Sequence, residues 1–104
     1  MLIAATSDIH SPRNFEFFVR AVDSMQSLPD IFFLAGDIID RGDVDEYSKI
    51  NNTLFGKFNC PIIACFGNSE YGKENTDRIK ERYKEITFLE DEGITLDIKD
   101  KKVG

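Results

Sequence analysis

Three short polar motifs hold the residues of this chain that are best suited to metal chemistry. They are Asp8-Ile9-His10, the run from Gly36 to Gly42 that contains Asp37, and Gly67-Asn68-Ser69-Glu70. Carboxylate and amide oxygens together with one imidazole suit Mn, Fe, Mg or Zn far better than a soft metal. The residue types therefore predict a site for divalent metal ions, provided that the three motifs meet in the fold.

A repeated order of elements would bring the motifs together. Each motif directly follows a short apolar run, and these runs are Leu2 to Thr6, Ile31 to Ala35 and Pro61 to Phe66. Segments of helical length separate the runs, and parallel neighbours need a crossover of about a dozen residues or more. In such sheets ligands bind beyond the carboxyl ends of the strands. The sequence thus predicts an α/β fold in which one edge of a parallel sheet carries all three motifs.

The spacers have the periodicity of amphipathic helices. Ser11-Pro12 is predicted as the N-cap and first residue of the first helix, and acidic side chains open the second, where the helix dipole favours them. The third helix is predicted over roughly 76 to 85. The apolar stripes are Phe15, Phe18, Val19, Val22 and Met25 in the first helix, and Ile79, Tyr83 and Ile86 in the third. An alternating strand over 94 to 98 completes a βαβαβα order followed by a β-hairpin.

Composition limits the class of protein. The chain has 104 residues, 41% of them hydrophobic, which fits one domain. No apolar run approaches the roughly 20 residues that cross a bilayer, so we expect no membrane segment. The net charge of −6 disfavours binding to extended nucleic acid. A small phosphate ester remains compatible, because bound divalent ions would reverse the local charge.

Two cysteines bear on the compartment. Cys60 and Cys65 flank or lie within the third apolar run, and five positions along a strand would direct them to opposite faces. A disulfide between them is therefore disfavoured. We expect reduced core thiols and a cytoplasmic protein.

Taken in order, the motifs resemble those of a known family. Asp8-x-His10, Gly36-Asp37-x-x-Asp40-Arg41-Gly42 and Gly67-Asn68-x-Glu70 are similar to the first three motifs of calcineurin-like metallophosphoesterases. The resemblance implies the amino-terminal portion of a two-sheet β-sandwich flanked by helices. It also implies hydrolysis of a phosphodiester or small phosphomonoester, in which a metal-bridging hydroxide attacks phosphorus in line.

The resemblance assigns roles to individual residues. Asp8 and His10 would bind the first metal, and Asp37 would bridge two metals about 3.5–4 Å apart. Asn68 would bind the second metal and contact charge that develops on phosphate, so Asp37 and Asn68 are the candidate catalytic residues. The planar guanidinium of Arg41 would bind phosphate. The implied cofactor is two divalent ions, Mn first, with Fe, Zn, Ni or Mg as alternatives.

Ser69 departs from the family pattern. Many members have a histidine at this position, which acts as general acid or phosphate ligand. Ser69 can bind a phosphate oxygen, but its hydroxyl is a poor proton donor, so a substrate with a good leaving group is favoured. Asp40 would orient that histidine in other members. Here Asp40 is left either to hold a metal ligand or to start a helix.

The second departure concerns the completeness of the site. His10 is the only histidine of the sequence, whereas the family completes its site with histidines from later motifs. Together with an unfinished hairpin at Val103-Gly104, this predicts a single domain over 1–104 that is truncated at its carboxyl end and carries part of the site. A second copy or a separate chain could supply the rest.

Two other classes of function are weighed against the enzyme. A non-catalytic scaffold that binds proteins on the same fold is the alternative. A receiver-like switch domain fits less well, because Asp8 has no adjacent acidic residue.

Overall fold

A parallel sheet forms the centre of the protein. The computed structural model describes residues 1–40, 43–70, 72–90, 93–98 and 101–104. Within these ranges four parallel strands lie side by side in chain order. They are β1 (Ile3–Thr6), β2 (Ile31–Ala35), β3 (Ile62–Cys65) and β4 (Ile86–Phe88). Because all of them run in the same direction, the loops that follow β1, β2 and β3 leave from one edge of the sheet.

Helices connect successive strands. In the described part of the chain they are α1 (Phe15–Asp23), α2 (Tyr47–Lys57) and α3 (Gly72–Arg82). Short 3₁₀ turns over Val44–Glu46 and Asn68–Glu70 precede α2 and α3. Crossovers between parallel neighbours are right-handed, and successive crossovers in the same direction put their helices on one face of the sheet.

The main core lies between the sheet and these helices. Alternate strand residues point toward the helices, and their partners are the apolar stripes of the helices. The buried members are Phe18, Val22, Phe32, Leu34, Tyr47, Ile50, Leu54, Ile62, Ala64, Ile79, Tyr83 and Ile86. Because β2 and β3 have apolar contacts on both faces, their sequences are apolar without interruption.

A hairpin covers part of the opposite face. Its strands, β5 (Leu96–Ile98) and β6 (Lys101–Val103), are antiparallel. The prediction that the hairpin is unfinished at Val103-Gly104 is therefore wrong, because Val103 already pairs with Leu96. Ile98 packs in a second cluster with Ile31 and Ile63, at the edge of which Phe33, Leu89 and Leu96 are partly buried. A second layer therefore begins over the face that the helices leave open. The predicted α/β class is confirmed, and the arrangement is consistent with the amino-terminal part of the metallophosphoesterase fold.

The predicted start of the first helix is wrong. Ser11 is fully buried and does not cap a helix. Its backbone N–H donates to the carbonyl of Ile38 over 2.9 Å, and its hydroxyl donates to Glu46 Oε1 over 2.7 Å. Because the neighbouring loop already uses the polar groups of Ser11, α1 begins only at Phe15.

The predicted end of the third helix is also wrong. The helix ends at Arg82, and Ile86 begins β4, where it pairs with Ile62. Ile86 does face the core, as predicted, but from a strand. Ile86 comes seven positions after Ile79, a spacing that a helical stripe would also give. Periodicity alone could not separate the two structures, and a three-residue strand has too little pattern of its own.

Two further expectations concern the cysteines and the membrane. Both cysteines are free, as expected. Cys65 is exposed at the end of β3, so its prediction as a core residue is wrong, and Cys60 is only half-buried. Among the helices of the described ranges, none is long and apolar enough to cross a bilayer.

Candidate metal centre

The loops after β1 and β2 run side by side and are joined by backbone hydrogen bonds. Asp8 N–H donates to the carbonyl of Gly36 over 3.1 Å, and His10 N–H donates to the carbonyl of Asp37 over 3.0 Å. The ladder continues through Ser11, whose carbonyl accepts from Asp40 N–H over 3.0 Å. These bonds extend the pairing of β1 with β2 past the end of the sheet. The first two motifs are therefore fixed in register with each other.

The backbone is strained at three of the predicted metal ligands. Asp8, His10 and Asp37 have φ angles of 55°, 47° and 54°. Residues other than glycine rarely adopt this left-handed backbone region, although aspartate and histidine are found there more often than most. Each such residue costs of order 1–3 kcal/mol, and such strain clusters at functional sites. The strain thus coincides with the residues that the sequence assigns to metal binding.

The side chains of these residues converge. One ligand atom each from Asp8, His10 and Asp37 can be chosen so that all lie within 4.8 Å of one another. Asp8 is exposed, while His10 and Asp37 are half-buried. Two carboxylates and an imidazole at this separation fit a divalent ion such as Mn²⁺, Fe²⁺ or Zn²⁺. The donor set agrees with the chemistry that the motifs predict.

Glu70 ties the third loop to the second. This carboxylate is fully buried. Its Oε1 accepts from Asp37 N–H and from Gly67 N–H, both over 3.0 Å. One oxygen therefore holds together two loops that are 30 residues apart in sequence.

Sequence reasoning placed Glu70 in a motif but gave it no role. A signal was present. In a capping box, a glutamate at the third helical position reaches back to the N–H of the residue that precedes the helix. Glu70 is the third residue of its 3₁₀ turn, and it reaches back to Gly67. What the sequence could not show is the second bond, to Asp37 on another loop.

Gly67 lies directly against Asp37. A Cβ atom at position 67 would lie 2.3 Å from Asp37 Oδ1 and 2.6 Å from Asp37 N. Only glycine leaves room for both the carboxylate and the backbone of Asp37 at this point. Asn68, the predicted ligand for a second ion, is the next residue and is exposed. The third motif thus reaches the same edge as the other two.

The structure describes the other predicted site residues to different extents. Ser69 lies in the same 3₁₀ turn as Asn68, but its side chain is outside the described part of the structure, and Arg41 lies outside the described residues altogether. Asp40 does not start a helix, because the turn before α2 begins at Val44 and is capped by Asp43. Asp40 instead lies beside His10, with 3.2 Å between its Oδ1 and His10 Nδ1.

Comparison with protein families identifies the origin of this arrangement. The family model of the calcineurin-like phosphoesterases matches residues 1–100. The chain belongs to the calcineurin-like phosphoesterase family. No curated protein matches it at a significant level of similarity. Family membership supports a metal-dependent phosphoesterase in general terms and implies divalent metal ions as cofactors.

A buried tyrosine lies near Glu70 of the third motif. Tyr47, the first residue of α2, is fully buried, and its hydroxyl has no hydrogen-bond partner among the described residues. Burial, and then the negative charge of Glu70, raise the pKa of Tyr47 far above its ordinary value of 10.0. The phenol therefore stays neutral, and its ring packs in the core against those of Tyr83 and Phe88.

Proposed function

We propose that this chain acts in the hydrolysis of a phosphodiester or a small phosphomonoester. One observation carries the proposal: Asp8, His10 and Asp37 offer ligand atoms within 4.8 Å of one another on the loops of a calcineurin-like phosphoesterase. Divalent ions bound there supply charge neutralisation at the phosphate and activation of water. In the reaction a water molecule gives up a proton as its oxygen bonds to phosphorus, the ester P–O bond breaks, and the leaving oxygen takes up a proton to depart as the alcohol.

Charge explains why the ions are needed for binding as well as for chemistry. The chain carries a net charge of −6, and two carboxylates stand at the proposed site, so a phosphate ester alone would be repelled. Bound divalent ions reverse this local charge. Asp8 is 65% exposed, which leaves the cluster open to ions and to a small substrate. Manganese is the proposed ion because it accepts both oxygen and imidazole ligands.

The protein's own groups bind and orient. Asp37 is held by its backbone on both sides, which fixes the carboxylate proposed to serve two ions. Asn68 is proposed to bind the second ion through its amide oxygen and to contact a phosphate oxygen. Arg41 and Ser69 are proposed to bind phosphate. Because Ser69 is a poor proton donor, the favoured substrate is a diester or aryl ester whose alcohol leaves readily.

The site is proposed to be partial in this chain. Asp8, His10, Asp37 and Asn68 supply only part of a two-metal ligand set, about half of the first metal's ligands and few of the second's. The rest would come from a second copy or a complementing chain. The single histidine of the sequence also favours the alternative function, a protein-binding scaffold that keeps the fold without turnover.

Hydrolysis of bis-p-nitrophenyl phosphate and of p-nitrophenyl phosphate tests the proposal. We expect Mn²⁺-dependent release of nitrophenol that EDTA removes, with the diester preferred. Asp37→Asn is the matched variant, since asparagine keeps the size and tolerates the left-handed backbone but loses the charge. Its turnover should be abolished. Unchanged turnover in Asp37→Asn would overturn the two-metal assignment. Weak or single-ion Mn²⁺ binding without turnover would indicate a half-site that cannot work alone, and binding of two ions without turnover would favour the scaffold.

A further inference from the structure

A short contact joins the only histidine of the chain to Asp40. His10 Nδ1 lies 3.2 Å from Asp40 Oδ1, although 30 residues separate the two in sequence. Both side chains are mostly buried, with exposed fractions of 25% and 23%. The contact therefore lies in a partly desolvated place, where a hydrogen bond to a carboxylate is stronger than in water.

Asp40 is itself held by the segment that carries His10. Its backbone N–H donates to the carbonyl of Ser11 over 3.0 Å. Its other carboxylate oxygen, Oδ2, lies 3.4 Å from Nη2 of Arg13. The N–H of Arg13 in turn donates to the carbonyl of His10 over 2.8 Å. Both the backbone and the carboxylate of Asp40 are thus fixed relative to the imidazole.

This geometry decides which ring nitrogen carries the proton in neutral His10. A carboxylate accepts hydrogen bonds, so the nitrogen beside it must be the donor, Nδ1–H. A lone pair on Nδ1 would instead face the negative oxygen. The other nitrogen, Nε2, lies 3.6 Å from Asp8 Oδ1, which is too far for a hydrogen bond. The shorter contact at Nδ1 therefore dominates, and it leaves a free lone pair on Nε2, the nitrogen that lies near Asp8.

We propose that Asp40 is a positioning residue that holds His10 as the Nδ1–H tautomer, so that Nε2 is free to bind the metal ion. The inference rests on the proposed metal site and adds a residue that touches neither ion nor substrate. It also gives Asp40 a role in this chain, which has Ser69 in place of the histidine that this aspartate would orient in other members. Partners of this kind typically change metal affinity by 10- to 100-fold.

Nitrogen NMR of the imidazole tests the tautomer directly, because the chain has a single histidine. Long-range ¹H–¹⁵N spectra of the metal-free protein are recorded at a pH high enough for the imidazole to be neutral. We expect a pyrrole-like Nδ1 and a pyridine-like Nε2 in the wild type. Asp40→Ala should shift the ring toward Nε2–H. A wild-type ring that is mainly Nε2–H would overturn the inference without recourse to any variant.

Mn²⁺ affinity, measured by calorimetry, is the second readout. Asp40→Ala should weaken binding by 10- to 100-fold with little change in the urea midpoint of unfolding. Glu16→Ala is the control, since it removes one carboxylate from an exposed position of α1 and should leave both tautomer and affinity unchanged. Equal affinity in wild type and Asp40→Ala would overturn this inference alone. A folded wild type that binds no Mn²⁺ would overturn the proposed function itself, whatever the tautomer.

Discussion

The three loops that carry the motifs follow β1, β2 and β3, and the two junctions between neighbouring loops are built differently. At the first junction, between the loops after β1 and β2, a series of backbone hydrogen bonds joins residues 8–11 to residues 36–40. At the second junction, between the loops after β2 and β3, the buried carboxylate of Glu70 bonds to both loops, and the absence of a side chain at Gly67 lets them approach closely. A backbone ladder survives most substitutions, whereas a side-chain contact does not. The second junction is therefore where single mutations should separate the loops.

The largest expected effect is that of Glu70→Ala. The change leaves the N–H groups of Asp37 and Gly67 without their acceptor, and each unsatisfied donor costs about 1–3 kcal/mol. We expect a loss of about 2–5 kcal/mol in the free energy of unfolding, together with weaker Mn²⁺ binding. Urea denaturation and calorimetry measure the two quantities.

Glu70→Gln is the matched control for that prediction. Its Oε1 can still accept both bonds, so most of the stability should be retained. If Glu70→Ala and Glu70→Gln unfolded at the same urea concentration as wild type, Glu70 would not join the loops.

Gly67→Ala should act on the same junction by steric conflict. The new methyl group would lie 2.3 Å from Asp37 Oδ1, so the carboxylate or the loop must move. We expect a loss of about 1–3 kcal/mol in stability, as for overpacked sites, and Mn²⁺ affinity reduced at least tenfold. Gly56→Ala is the matched change, because nothing lies within 4 Å of its added Cβ atom in α2. That variant should gain about 0.5–1 kcal/mol. Equal behaviour of the two variants would contradict the close approach at Gly67.

At the first junction, mutations should change stability through backbone strain rather than through lost hydrogen bonds. Asp8 has a φ angle of 55° and an exposed side chain. Asp8→Gly should be more stable than Asp8→Ala by about 1 kcal/mol, because glycine adopts this backbone region without a Cβ penalty. Both variants should lose Mn²⁺ affinity, since both lack the carboxylate. Thermal unfolding of the two variants measures the effect of strain on stability, and calorimetry measures their Mn²⁺ affinity.

The smallest effect concerns acid stability beside the first junction. Burial alone would raise the pKa of Glu46, but hydrogen bonds from Lys49 and Ser11 lower it below its ordinary value of 4.5. A carboxyl group with a lowered pKa in the folded state stabilises the protein above its unfolded pKa, and this stabilisation is lost as pH falls through the folded pKa. We expect wild-type stability to fall below about pH 4.5 slightly more steeply than that of Glu46→Gln, by under about 1 kcal/mol. Parallel pH profiles in the two proteins would exclude this contribution.

Much of the fold could be predicted because its signals are local. The apolar runs that became β1, β2 and β3 each precede a polar motif, and the helices between them carry clear stripes. β4 could not be predicted as a strand, because Ile86 fits the stripe of α3 equally well. The true role of Ser11 could not be predicted either, because its bonds to Ile38 and Glu46 are tertiary and leave no sequence pattern.

The candidate site divides in the same way. That Asp8, His10 and Asp37 would meet follows from the rule that parallel strands end at one edge, and the structure brings them together. Their roles as ligands, with those of Asn68, Arg41 and Ser69, stay predictions. The strained φ angles and the contacts of Glu70 and Asp40 could not be predicted, because they depend on how three loops lie against one another.

Calorimetric titration of the metal-free protein with Mn²⁺ tests the central claim most directly. We expect the wild type to bind Mn²⁺ saturably and Asp37→Asn to lose this binding, while both proteins unfold at similar urea concentrations. Binding of a single ion would agree with a partial site, and binding of two with a site completed by a second copy. A folded wild type that takes up no Mn²⁺, or an Asp37→Asn variant that binds it equally well, would contradict the account.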